Sequence, residues 1–158
     1  MILIIGGNPE RHWLKNTGIE THFSGYKCCN FLTDRKPFSL DAARLFEFSL
    51  SGEVGIYISP VSYNNIYFIL RQSLSELVTM KLLNELAEIS EILDDTKAVI
   101  QQALRSGFKD FEDAIQYYCA VSLSKIECIV TRNSKDFKKS FLAVMTPGET
   151  AALFSHSA

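Results

Sequence analysis

Five polar side chains fall where an α/β fold gathers its chemistry: Asp110, Glu112 and Asp113 at the start of a helical stretch, and Asn133 with Asp136 just beyond an apolar run. In an open parallel sheet, ligands bind outside the carboxyl ends of the strands. Several carboxylates meeting in one such cleft suit Mg2+ or Mn2+, hard cations that prefer oxygen ligands. Two ions of this kind can activate a water and stabilise the leaving oxygen in phosphodiester hydrolysis. Taken singly, each residue also has an ordinary structural role: Asp110 as an N-cap, Asp113 as a first-turn charge against the helix dipole, Asp136 as a turn residue. Competing chemistries find less support. His12, His22 and His156 lie near the termini and form no triad by spacing. Gly6-Gly7-Asn8 matches neither the phosphate-loop spacing nor the dinucleotide fingerprint. Tyr117 and Tyr118 offer rings for base stacking, but their place in an amphipathic stripe fits core packing for at least one of them.

The elements that must position these residues follow from residue 38 onward, where helical and strand patterns alternate. Ser39 can cap a helix carrying Ala42, Leu45, Phe46 and Leu50 until Gly52 stops it. Gly55–Ser59 reads as a buried strand, and Pro60 opens a helix with Ile66, Ile69 and Leu70 on one stripe. Another helix follows Ser75, and Ile89–Leu93 is expected as a strand. A helix after Asp94 and Asp95 ends at Gly107, and the Asp110 helix follows with Ala114, Ile115, Tyr118 and Cys119 on one face. Ile126–Val130 and Phe141–Met145 are the remaining strands, before a capping-box pattern from Thr146 to Glu149. The expected architecture is a three-layer α/β/α sandwich around a central, mostly parallel sheet.

Composition narrows the function classes. At 158 residues, 47% hydrophobic and 22% charged, the chain fits one globular domain. A net charge of −2 lacks the overall basic footprint of a high-affinity nucleic-acid binder, so any contact with RNA must be local. Cys28, Cys29, Cys119 and Cys128 show neither a CxxC pair nor a zinc rhythm with the histidines and are expected as reduced thiols. No apolar run approaches a membrane span or a signal-peptide core, which makes a cytoplasmic location the expectation. Residues 1–30 differ from the rest. They hold the single Trp and show no sustained periodicity after Ile5.

The segment FKDFEDAIQYYCAVSLSKIECIVTRNSKDFKKSFLAVMTPGE resembles the carboxyl half of bacterial PIN domains: an Asp opening a helix, a strand ending in Thr-Arg-Asn, then Asp-Phe. FLTDRKPFSLDAARLFE, a strand and SYNNIYFILRQ extend the likeness upstream, so that it covers residues 31–154 and leaves 1–30 as an atypical N-terminal segment. The resemblance implies a Mg2+- or Mn2+-dependent endoribonuclease of the VapC-like toxin type, with an RNA substrate, a cognate antitoxin and a homodimeric state. Position by position, it makes Asp113 and Asp136 the catalytic metal ligands, with Asn133 in support and Asp110 as a neighbour in the metal site.

Two positions depart from that pattern. Where the family often has a glutamate in the helix after the second strand, the best match here is Asn65. Where it has an opening strand ending in Asp-Thr-Asn, this chain has SGYKCCN, and Asp34 lies beyond the required position. Reading the codons for Thr21 to Cys29 one base later permits Leu-Ile-Phe-Leu-Asp-Thr-Asn-Val-Val, so a frameshifted reading of such a gene is the expected origin. A nuclease impaired by the missing carboxylate follows, with a non-catalytic scaffold that binds antitoxin or RNA as the alternative. Met1–Ile5 is expected to fill the edge or central slot left by the missing strand, and residues 8–25 to form a loop.

Overall fold

A computed structural model of the chain describes residues 2–7 and 39–155. The expected loop at 8–25, the stretch 21–29, Asp34, Cys28, Cys29 and the three histidines lie outside the described residues. In chain order the elements are β1 (Leu3–Gly6), α1 (Ser39–Ser51), β2 (Gly55–Ile58), α2 (Pro60–Arg71), α3 (Glu76–Ile89), β3 (Glu91–Ile92), α4 (Lys97–Arg105), α5 (Phe111–Val121), β4 (Ile126–Val130), a 3-10 turn (Ser134–Phe137), β5 (Ala143–Met145) and α6 (Pro147–Ser155).

The five strands form one sheet in the order β3-β2-β1-β4-β5. β2 with β3 and β4 with β5 pair in parallel, whereas β1 runs antiparallel to both of its neighbours. Four strands therefore share a direction and the central one opposes them. Its residues Leu3 to Gly6 are buried on both faces, as a continuous apolar run in a central strand must be. Period-two alternation divides the core: Leu3, Ile5, Ile56, Ile58, Cys128 and Val130 face one helical layer with Leu45, Leu82 and Ala151. Ile2, Ile4, Tyr57 and Ile129 face the other, with Val99, Ala103, Ile115 and Cys119. The fold is thus the α/β/α sandwich expected from the pattern, and Leu3–Gly6 occupies its central slot.

Tertiary contacts shift several expected boundaries. The third strand shortens to Glu91–Ile92 because Ile89 completes α3, and the Leu93 amide donates to the Ile58 carbonyl at 2.9 Å. α4 starts at Lys97 because Thr96, and neither Asp94 nor Asp95, takes the cap and accepts the Val99 amide at 3.3 Å. The last strand begins at Ala143, since the Phe141 amide donates to the Tyr117 hydroxyl at 3.2 Å and the Leu142 amide to Ser140 Oγ at 3.0 Å. Gly52 and Gly107 follow their helices with φ of 84° and 68°, the left-handed conformation that ends a helix.

Candidate active site at the acidic edge of the sheet

β2, β4 and their parallel neighbours point their carboxyl ends at one edge of the sheet. α5 precedes β4 and runs back along it, so its first turn returns to that edge. The inverted β1 presents its amino end there: the Ile2 carbonyl accepts from Ser62 Oγ at 3.5 Å. Its other end lies at the far edge, where Tyr57 Oη donates to the Gly7 carbonyl at 2.7 Å and Lys125 Nζ sits 4.8 Å over the Tyr57 ring.

Asp110 is the N-cap of α5, accepting the Glu112 amide at 2.8 Å and the Asp113 amide at 3.3 Å. These bonds satisfy amides that have no partner inside the helix and fix the direction of the first turn. Glu112 turns toward α2, where Asn65 Nδ2 donates to its Oε1, and Gln116 Nε2 of α5 donates to the same oxygen at 2.9 Å. Behind them runs a buried polar chain: Ser62 Oγ donates to Gln116 Oε1 at 3.3 Å, and Ser59 Oγ to Ser62 Oγ at 3.1 Å. Sequence reasoning missed this network. Asn65 and Glu112 are 47 residues apart, and nothing in either local pattern reports the contact.

Beyond β4, buried Thr131 accepts the Asn133 amide at 3.2 Å, and Asn133 Nδ2 donates to Asp136 Oδ2 within the 3-10 turn. Buried Phe137 anchors that turn, and its ring meets Phe108 at a centroid distance of 5.9 Å. Phe108 just precedes α5, so this packing draws the Asp136 turn toward the Asp113 turn.

Asp113 is half-buried, and its carboxyl makes no hydrogen bond among the described residues. Burial raises its pKa first, then the charges of Asp110, Asp136 and Glu112, to about 6. Four carboxylates thus share one electrostatic neighbourhood. A bound cation would relieve their repulsion, but the donor set is open. Asp110 is engaged by amides, Glu112 by two side-chain amides and Asp136 by Asn133. Among the described residues no three His, Cys, Asp or Glu side chains converge closely enough to enclose a metal ion. The arrangement fits a single, largely hydrated ion held by few carboxylates and not a closed protein cage. Cys119 and Cys128 are elsewhere in the core, their thiols pushed up to about 11 by burial, which makes them inert.

Comparison with curated proteins and with solved structures gives no significant match. The family model described as PIN domain matches residues 29–135, a span that contains the Asp113 turn, the Glu112–Asn65 contact and β4 with Asn133. That match covers more than half of the sequence, and with the sandwich and the acidic edge it fixes the family: the chain belongs to the PIN domain family.

Proposed function

We propose that this protein is a PIN-domain endoribonuclease of the toxin–antitoxin kind whose hydrolytic site lacks one carboxylate, so that it cleaves RNA weakly or not at all. The family membership carries a nuclease-type function with RNA as the ligand class, and PIN domains typically use divalent metal ions. The observation that supports the site is Asp113, whose pKa is raised to about 6 by burial first and then by the charges of Asp110, Asp136 and Glu112. Perturbed carboxyls of this kind concentrate at functional sites.

In this reading Asp113 and Asp136 hold Mg2+ or Mn2+, Asn133 orients Asp136, and Asp110 adds negative charge from the cap. When bound, the metal supplies Lewis acidity and an activated water for phosphodiester hydrolysis. The protein's own residues prepare the place. Asp110 directs the helix end, Asn65 and Gln116 hold Glu112 aside, and the Phe108–Phe137 contact fixes the Asp136 turn. The impairment follows from the central strand. In the family that strand ends in Asp-Thr-Asn, whereas here Leu3–Gly6 fills the slot with reversed direction and no acidic residue. A homodimer and a cognate antitoxin belong to the same proposal.

The test compares this chain with a version in which residues 1–29 are replaced by an opening strand ending in Asp-Thr-Asn, with Asp113→Asn in the restored background as control. The restored protein is expected to cleave single-stranded RNA in Mg2+ or Mn2+, and the present chain to cleave little. Robust EDTA-sensitive cleavage by the present chain would overturn the impairment. Absence of cleavage by a folded restored protein would favour a non-catalytic scaffold.

A further inference from the structure

A second charged feature borders the acidic edge. The 3-10 turn and the segment before α5 enclose a cleft of about 560 Å3 whose rim carries Lys109, Lys135, Lys138 and Lys139 and whose apolar floor includes Phe108. All four lysines are exposed, and none is paired with a carboxylate among the described residues. Asp136 is the one acidic residue that lines it among the described residues, and its charge also acts on Asp113. In a chain of net charge −2, this is a strong local concentration of positive charge. Close by, the Phe141 backbone is tied to Tyr117 by its amide, while the Phe141 side chain is 96% exposed. Tyr117 in turn packs against Phe108 of the cleft floor, centroids 5.2 Å apart. Unpaired lysines around a cleft beside a fully exposed aromatic ring are the two components of sequence-tolerant single-strand binding: ammonium groups on phosphates and a ring on a base.

We infer that this lysine-rimmed cleft is a binding track for the sugar-phosphate backbone of single-stranded RNA, with Phe141 stacking on a base, and that it works without a metal. The inference rests on the ribonuclease-type reading for its ligand class but not on hydrolysis. Asp136 marks the junction where the basic track ends and the acidic edge begins. A strand held by the lysines is thereby led up to the carboxylates, which would otherwise repel it.

The experiment measures anisotropy of a fluorescein-labelled oligouridylate with the full chain in EDTA over a series of salt concentrations. Lys135→Ala/Lys138→Ala/Lys139→Ala is expected to weaken binding by about ten-fold or more at low salt and to reduce the slope of log K against log salt by about 2, from roughly 0.7 per phosphate contact. The matching triple arginine variant should retain wild-type binding and slope. Phe141→Ala should weaken binding by about five-fold or more with the slope unchanged, because stacking releases no counterions. Lys81→Ala, on the outer surface of α3, should change nothing. All of these side chains are exposed, so the variants fold. An unchanged affinity and slope in the triple alanine variant would overturn the inference. So would competition by polyglutamate as effective, per charge, as that by unlabelled RNA, which would make the cleft a surface for acidic protein. Because binding is read without turnover, failure of the restored chain to cleave leaves this result standing. Conversely, lysine-independent binding by a chain that does cleave would remove the cleft alone.

Discussion

Gly6→Ala tests the reversed central strand. Gly6 pairs with Ile126 at an irregularity in the β1–β4 register, and a Cβ there would overlap the Lys125 carbonyl oxygen and lie 3.1 Å from the Ile126 Cα. Lys125 immediately precedes β4 and Ile126 opens it, and as backbone atoms neither can rotate away. Gly7, the next residue, would place a Cβ with nothing within 4 Å. Neither glycine has a positive φ, so alanine costs no backbone strain at either position. In the unfolded chain both substitutions restrict the backbone equally, a gain of about 0.4–1 kcal/mol for the folded state. Forced overpacking costs about 1–3 kcal/mol. Gly6→Ala should therefore be the less stable of the two variants by about 2 kcal/mol, and Gly7→Ala should be about 0.4–1 kcal/mol more stable than wild type. With a urea m-value of about 2 kcal/mol/M, the two midpoints should differ by roughly 1 M. Urea titrations followed by far-UV circular dichroism measure this directly. Equal midpoints, or a more stable Gly6→Ala, would refute the close passage of β1 beside Lys125 and with it the inverted strand.

Two further outcomes test the acidic edge. Asp113 titrates higher in the folded protein than its ordinary 3.8, at about 6, so the native state binds more protons between those values and its stability falls as pH rises through that window. Asp113→Asn should abolish this loss. After screening of a half-exposed carboxyl the variant should be about 1 kcal/mol more stable at pH 7, the gain vanishing near pH 4; an identical pH profile for the two proteins would refute the clustered carboxylates. Asn65→Glu replaces the donor to Glu112 with a like charge and should lower stability by about 1 kcal/mol in EDTA, with partial recovery in millimolar Mn2+. Thermal melts that do not respond to the substitution would show that Asn65 and Glu112 are not in contact.

What the sequence disclosed was local chemistry. The Asp110 cap and the Thr146–Glu149 capping box were legible because each is a contact within three residues, and both form. Asp110 accepts the Asp113 amide at 3.3 Å, and in the reciprocal box the Thr146 amide donates to Glu149 Oε2 at 2.7 Å and the Glu149 amide to Thr146 Oγ1 at 3.3 Å. The Thr146 amide and, at 2.8 Å, the Thr146 hydroxyl both donate to the Glu149 carboxylate and hold it below its usual range. The lysines of the cleft were visible as letters but not as a rim, because a net charge averages over surfaces that the fold separates. Nor could periodicity give the direction of β1. A run of apolar residues buried on both faces has no sidedness, so Leu3–Gly6 suits a central slot in either sense. Direction nevertheless decides what the strand contributes to the site. A parallel central strand would deliver the residue after it to the acidic edge beside Asp113. The antiparallel one delivers Ile2 there and carries Gly7 to the opposite edge, where Tyr57 and Lys125 close over it. An aspartate placed at position 7 would face that far edge, so a substitution directly after β1 would not reach the Asp113 turn. In the proposed reading, a carboxylate arriving at the end of the central strand beside Asp113 would come from a strand of the other polarity in the same slot.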